Sequence, residues 1–206
     1  MNFSLEIGLK TDLSKLPNIQ DIYITLLQGD HYKDVAHKAK ELVELGKNPV
    51  PHFPARAIKN KNELKEYVIM CKDFGVKQAL VIGGGAQPAG DFHCSLQLFE
   101  TGLLKDFKIG IAGHPEGSPD ISDSDLEKAM IDKKPYADYI VTQWLMETSP
   151  IIDYVSKQKI YLIKEGDNFS KIASSFNISL RALMKANNQL DPRLLRIGQK
   201  IVIPGQ

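Results

Sequence analysis

Cysteine is scarce in this 206-residue chain: only Cys71 and Cys94 occur, in different segments. They cannot build a disulfide framework, so reduced, buried thiols are expected. Long apolar runs are missing too. None approaches the roughly 20 residues that a membrane-spanning helix needs, so no membrane partner is expected. The first residues, MNFSLEIGLKTDLSKLPN, lack a basic start followed by an apolar stretch. They read as a strand and loop and not as an export signal, and the location expected from these absences is the cytoplasm. Nor is there an excess of one charge: 26 Lys+Arg stand against 25 Asp+Glu, a formal net charge of +1. No strong overall field is available to recruit nucleic acid. The scattered lysines, with Lys133-Lys134 the densest pair of the first domain, read as solvated faces.

What is present is the composition of an ordinary globular chain, 43% hydrophobic and 25% charged. Short apolar runs alternate with helical patterns. Strands are expected at Phe3 to Leu9, Asp21 to Leu27, Pro49 to Phe53, Gln78 to Ile82, Lys108 to Ala112 and Tyr139 to Leu145. The third should be short, because its two prolines restrict the hydrogen-bond ladder. Between the strands, Val35, Ala39, Leu42, Val43 and Leu45 recur at helical spacing, as do Leu64, Tyr67, Val68 and Cys71. Further helices are expected over Leu96 to Leu104 and Leu126 to Lys133.

Strict strand–helix alternation implies parallel strands with crossover helices. Either an open doubly wound sheet or a barrel satisfies it. No G-x-G-x-x-G opens the first helix, which weakens the dinucleotide-binding form of the open sheet. Polar residues collect at several strand ends instead: Glu6, Thr25, His52, Gly83-Gly84, His114 and Gln143. Barrel enzymes hold their chemistry at such a ring of loops.

Four stretches occur in order: SLE at Ser4–Glu6, PVPHFPAR at Pro49–Arg56, GIAGHPEG at Gly110–Gly117 and IVTQWLM at Ile140–Met146. Over about residues 1–150 the chain thereby resembles the methylenetetrahydrofolate reductase superfamily. The resemblance implies a (β/α)8 TIM barrel, here a partial segment of about six strands. It implies flavin-dependent reduction of 5,10-methylenetetrahydrofolate to 5-methyltetrahydrofolate, with FAD as cofactor and NADH or NADPH as electron donor. By the same resemblance Glu6 is the acid that protonates the folate, and Gln143 holds its pterin. Thr25, His52, Gly83, Gly84, His114 and Asp125 take the flavin. A carboxylate in a barrel mouth is expected to be desolvated and so to hold its proton near neutral pH. The three consecutive glycines would let backbone N–H groups approach a phosphate or an isoalloxazine. Six strands leave two open sheet edges, so pairing with another copy is a further expectation.

The style changes near Ser149-Pro150. A short helix, 151–157, falls in a linker over 151–159. Residues 160–206 then read strand, helix, helix, strand: IYLIKEGD, SKIASSF, SLRALMKANN and QKIVIP. This small βααβ unit resembles a LysM domain through YLIKEGDNFSKIASSFNIS, LRALMKANNQLDP and LLRIGQKIVIPGQ. Asp167 or Asn168 can cap the first helix. The resemblance implies binding of glycans that contain N-acetylglucosamine, such as peptidoglycan or chitin. Gly166, Asp167, Asn168 and Phe169 would line one side of the groove, and Leu190, Asp191 and Leu194 the other. Two functional expectations follow: a flavin- and folate-dependent reductase with a glycan-binding tail, or a non-catalytic glycan-binding protein with a truncated barrel.

Overall fold

The computed structural model describes residues 4–119, 121–142, 154, 160–187 and 190–203. Two compact units are present. One comprises the residues up to 113 together with 123–142; the other comprises 114–122 together with the residues from 143 onward. The segment that follows the fifth strand thus groups with the C-terminal part, which a linear division of the chain did not anticipate. The expected boundary at 150 and the helix at 151–157 lie outside the described residues, except for Tyr154.

The first unit holds six strands: β1 (Leu5–Ile7), β2 (Asp21–Ile24), β3 (Asn48–Pro54), β4 (Gln78–Ile82), β5 (Lys108–Gly113) and β6 (Tyr139–Thr142). Every adjacent pair is parallel, and the spatial order is the sequence order. Helices α1 (Tyr32–Glu44), α2 (Lys61–Asp73), α3 (Ser95–Glu100) and α4 (Asp123–Lys133) lie in the connections. Right-handed crossovers in sequential order place all of these helices on one face of the sheet. That face is the core: Ile22, Ile24, Phe53, Ala79 and Ile111 are 0% exposed, as are Val35, Ala39 and Leu42 of α1 and Leu64 and Tyr67 of α2. Asn60 starts α2 by accepting hydrogen bonds from the N–H groups of Asn62 and Glu63, both at 3.0 Å.

Strand β3 is longer than its prolines suggested, seven residues in all. The Asn48 N–H donates toward the β2 side, to Gln20 O at 2.9 Å. Alternation turns Val50 the same way and points Pro49 and Pro51 toward β4. The pairing with β4 begins only at His52. Neither proline is therefore asked for an N–H, and the strand continues.

The sheet is curled, a half-barrel whose free edges among the described residues are β1 and β6. One contact shows the curl directly. The hydroxyl of Tyr139 on β6 meets that of Tyr23 on β2. Four strand spacings separate these strands, about 19 Å in a flat sheet, more than two tyrosine side chains span.

The second unit contains a two-stranded antiparallel sheet of β7 (Ile160–Leu162) and β8 (Lys200–Val202), with α5 (Phe169–Ser175) and α6 (Leu180–Ala186) between them in sequence. Its core is Ile163, Phe169, Ile172, Ala173, Leu183, Ile201 and Ile203, with Tyr161, Ile178, Leu190 and Leu195 packed around it. Asn168 is the residue that caps α5, its Oδ1 accepting from Lys171 N at 2.9 Å. Ser179 caps α6, its hydroxyl accepting from Ala182 N at 3.1 Å.

Candidate functional site

Alternation along the six strands presents Glu6, Tyr23, His52, Leu80, Gly110 and Tyr139 on the face away from the helices. Glu6 and His52, assigned separately from sequence, do come together: Glu6 Oε2 lies 3.6 Å from His52 Nε2. That is too long for a hydrogen bond. The His52 side chain is 7% exposed and the Glu6 side chain 62% exposed. Burial pushes the His52 imidazole down to about 4, so the ring is neutral at pH 7. Its Nε2 is shut off from solvent without a hydrogen-bond partner. The desolvation expected for Glu6 is absent, because the chain covers His52 and leaves the Glu6 side chain in solvent. Tyr23 approaches His52 edge-on, with ring centroids 6.1 Å apart.

Tyr139 dominates the rest of this face. A Cβ added at Gly110 would sit 2.7 Å from the Tyr139 ring, so the ring packs directly over the glycine. The Tyr139 hydroxyl is sealed from solvent and faces Tyr23. Burial raises both phenols above their ordinary range. Neither tyrosine was singled out from sequence. The contact joins β2 to β6, and no local spacing announces it.

The other residues expected to hold a flavin are engaged elsewhere. The Thr25 hydroxyl donates to Ile7 O at 3.2 Å and bridges the ends of β1 and β2. Gly83 O accepts from Arg56 N at 3.0 Å, and Gly84 O accepts from Arg56 Nη1 at 3.2 Å. Arg56 Nε donates onward to His93 O at 3.0 Å. The glycine loop is thus clamped through its carbonyls by Arg56, a residue inside the PVPHFPAR stretch whose role the sequence did not reveal. Gly84 needs its positive φ of 86°, and a Cβ there would come within 3.1 Å of Pro54 Cβ. Packing within the chain therefore already requires the glycine. Asp125 is exposed in the first turn of α4. His114 belongs to the second unit, where its carbonyl accepts from Gly117 N at 3.1 Å. Gln143 lies outside the described residues.

In the C-terminal unit, Leu162 pairs with Lys200 in the antiparallel strand pair. The chain leaving β7 and the chain entering β8 therefore emerge at the same end. The loop 163–168 and the stretch that leads into β8 are brought side by side there. Ile163 N donates to Gln199 O at 2.9 Å, and Gly198 N to Ile163 O at 2.8 Å, which extends the pairing into both loops. Gly166, with φ 78°, makes the first loop's turn. Asp167 braces it: its Oδ2 accepts from Lys164 N at 2.7 Å and from the Tyr161 hydroxyl at 2.8 Å. Those two donors, the backbone one first, hold the Asp167 carboxyl below its usual value. Phe169 is 3% exposed and sits in the core, so its ring supplies packing and not a groove wall. On the second loop Leu190 is half-buried against the core, Asp191 Oδ1 accepts from Arg193 N at 2.9 Å, and Leu194 is 71% exposed.

Asn187 fixes where that second loop begins. It is 1% exposed. Its Nδ2 donates to Leu183 O at 2.8 Å and to Val202 O at 2.7 Å, while its Oδ1 accepts from Val202 N at 2.8 Å. The side chain ties the end of α6 to β8.

Comparison with known proteins agrees with this unit. A family model described as the LysM domain matches residues 161–204. Residues 161–204 are a LysM domain. Over 43 residues the chain is 37% identical to the N-acetylmuramoyl-L-alanine amidase XlyA of Bacillus subtilis (strain 168). That stretch covers 21% of this chain and 14% of the amidase. Among solved structures, the LysM domain of a chitinase from Volvox carteri is similar at 30% identity with a TM-score of 0.23, covering 23% of this chain and 96% of that one.

Proposed function

We propose that this protein binds glycans containing N-acetylglucosamine, peptidoglycan or chitin, through its LysM domain. The observation that carries the reading is the end of that domain where β7 exits and β8 enters. There a turn braced by Asp167 is paired through Ile163 with Gly198 and Gln199, and the loop that leads into β8 carries the exposed Leu194. Rigid, preformed loops lose little entropy when they order a sugar. An exposed apolar side chain between polar turns suits an acetamido methyl. The amidase that the domain resembles is itself named for N-acetylmuramoyl-L-alanine. Titrating the ¹⁵N-labelled protein with chitotetraose and following its amide signals tests the reading. Shifts concentrated in 163–168 and 190–199 are expected, weakened in Leu194→Asp. Unmoved signals at millimolar sugar defeat it.

A second reading has one observation in its favour, the approach of Glu6 to His52 on the helix-free face. In this reading residues 1–150 are a barrel segment of the methylenetetrahydrofolate reductase type, with FAD, NADH or NADPH and a folate as its partners. Glu6 is open to solvent and stands beside the buried, neutral His52. The tie of Gly83 and Gly84 to Arg56, and of Thr25 to Ile7, leaves these groups turned into the chain, so no step through the flavin is derived. Reconstitution with FAD is the test. A bound, protein-shifted flavin absorbance supports the reading, and a colourless protein after reconstitution removes it.

A further inference from the structure

The charge of the chain is unevenly placed. Residues 160–206 carry seven Lys and Arg against three Asp and Glu, a net of +4, whereas the whole chain is +1. Two of those cations, Arg181 and Lys185, stand four residues apart on α6 and are exposed. Neither is ion-paired among the described residues. Beside them Leu180 and Met184 make a parallel stripe, 41% and 42% exposed. Together with Leu190 and Pro192 these residues line an open groove of about 660 Å³. Leu190 is also packed against the core of the domain, which fixes one wall of this groove.

An apolar floor edged by two unpaired cations has a definite chemical complement: a chain with small apolar groups and carboxylates. A neutral polymer of N-acetylglucosamine supplies no carboxylate. A glycan whose sugars bear lactyl-peptide substituents supplies both, as methyl groups and as ionised carboxylates. We infer that the α6 groove is a subsite for the carboxylate-bearing substituents of such a glycan, with Arg181 and Lys185 receiving the carboxylates and Leu180, Met184 and Pro192 the methyls. The inference rests on the glycan reading above and narrows it from two ligands to the anionic one.

The test uses the full chain and two probes measured by calorimetry: chitotetraose, and a tetrasaccharide of alternating N-acetylglucosamine and N-acetylmuramic acid carrying short stem peptides. The anionic probe should bind more tightly. Replacing both cations, Arg181→Gln with Lys185→Gln, should cost about 3- to 10-fold for the anionic probe, the range of two exposed charge contacts. It should leave chitotetraose affinity unchanged, which also shows that the variant folds. Raising NaCl to 0.5 M should reproduce the loss in the wild-type chain by screening. If both probes bind equally, or if the double variant loses them in parallel, the subsite is refuted while the glycan reading stands. If polyglutamate competes as well as the anionic probe, the groove is a general anion patch and the inference is overturned. If neither sugar binds, the glycan reading falls and this inference with it.

Discussion

Replacing Asn187 with alanine should unfold much of the LysM domain and little else. The side chain makes three hydrogen bonds, to Leu183 O, Val202 O and Val202 N, each between 2.7 and 2.8 Å. It is 1% exposed, so its partners are poorly placed to find water once it is gone. A buried polar group left without a partner costs about 1–3 kcal/mol. Val202 is itself half-buried, so some of the loss is recovered by solvent, and a net cost of about 3 kcal/mol follows. A domain of this length has a total stability of only roughly 2–7 kcal/mol at the usual value per residue. The variant should therefore show a large unfolded fraction of residues 160–203 at 25 °C. Urea titration of the full chain, read from resolved amide signals of each unit, separates the two outcomes. Asn187→Asp keeps the acceptor and loses both donors, and should fall between wild type and alanine. A loss below about 1 kcal/mol for alanine would mean that the side chain ends the helix and does not tie it to β8.

Three further outcomes are expected. His52 has a folded-state value near 4 against an ordinary 6.5, lowered by burial, so the folded chain binds fewer protons than the unfolded chain between these values. The stability this contributes is complete above pH 6.5 and is lost as pH falls toward 4. His52→Gln should flatten urea midpoints of the first unit between pH 7 and pH 4.5, whereas wild type should drop by up to about 3 kcal/mol. Gly110→Ala should displace the Tyr139 ring, since the new methyl would lie 2.7 Å from it, at a cost of about 1–3 kcal/mol. Adding Tyr139→Ala should relieve most of that strain, and strictly additive losses in thermal melts would show that ring and glycine are not in contact. Arg56→Lys keeps the charge but cannot form both bonds of the planar fork, to Gly84 O and His93 O. Amide hydrogen exchange in 83–93 should quicken about 10-fold or more, in line with about 1.4 kcal/mol lost, while exchange in β4 stays unchanged.

Much of the architecture was written locally. The run QALVI specified β4 to the residue, and the alternation of strands and helices specified a parallel sheet with crossovers. Phe169, expected on the groove, sits in the core with Ile172 and Ala173 instead. Most of the misjudged or missed features depend on distant partners, and one on a local turn. The prolines of β3 are harmless only because β4 pairs beyond them. Helix α3 stops at Glu100 and not near Leu104, because the Thr101 hydroxyl donates to Leu98 O at 2.6 Å and Gly102 turns with φ 71°. Tyr23, Gly110 and Tyr139 form one contact across strands that are far apart in sequence. Arg56 stood inside a recognised motif, but its two carbonyl partners lie 28 and 37 residues away. An overall charge of +1 hid a cationic module, because the remaining residues offset it.

The next-to-next order of the six strands has a mechanical consequence. Each β/α step leans mainly on the steps before and after it, so its stability is gained in increments and not all at once. A lesion in one step should be felt by its neighbours and fade beyond them. The exception is the clasp between Tyr23 and Tyr139, which spans the open side and lets the sixth strand report on the second. Replacing either ring should therefore be felt at both strands although they are far apart in sequence.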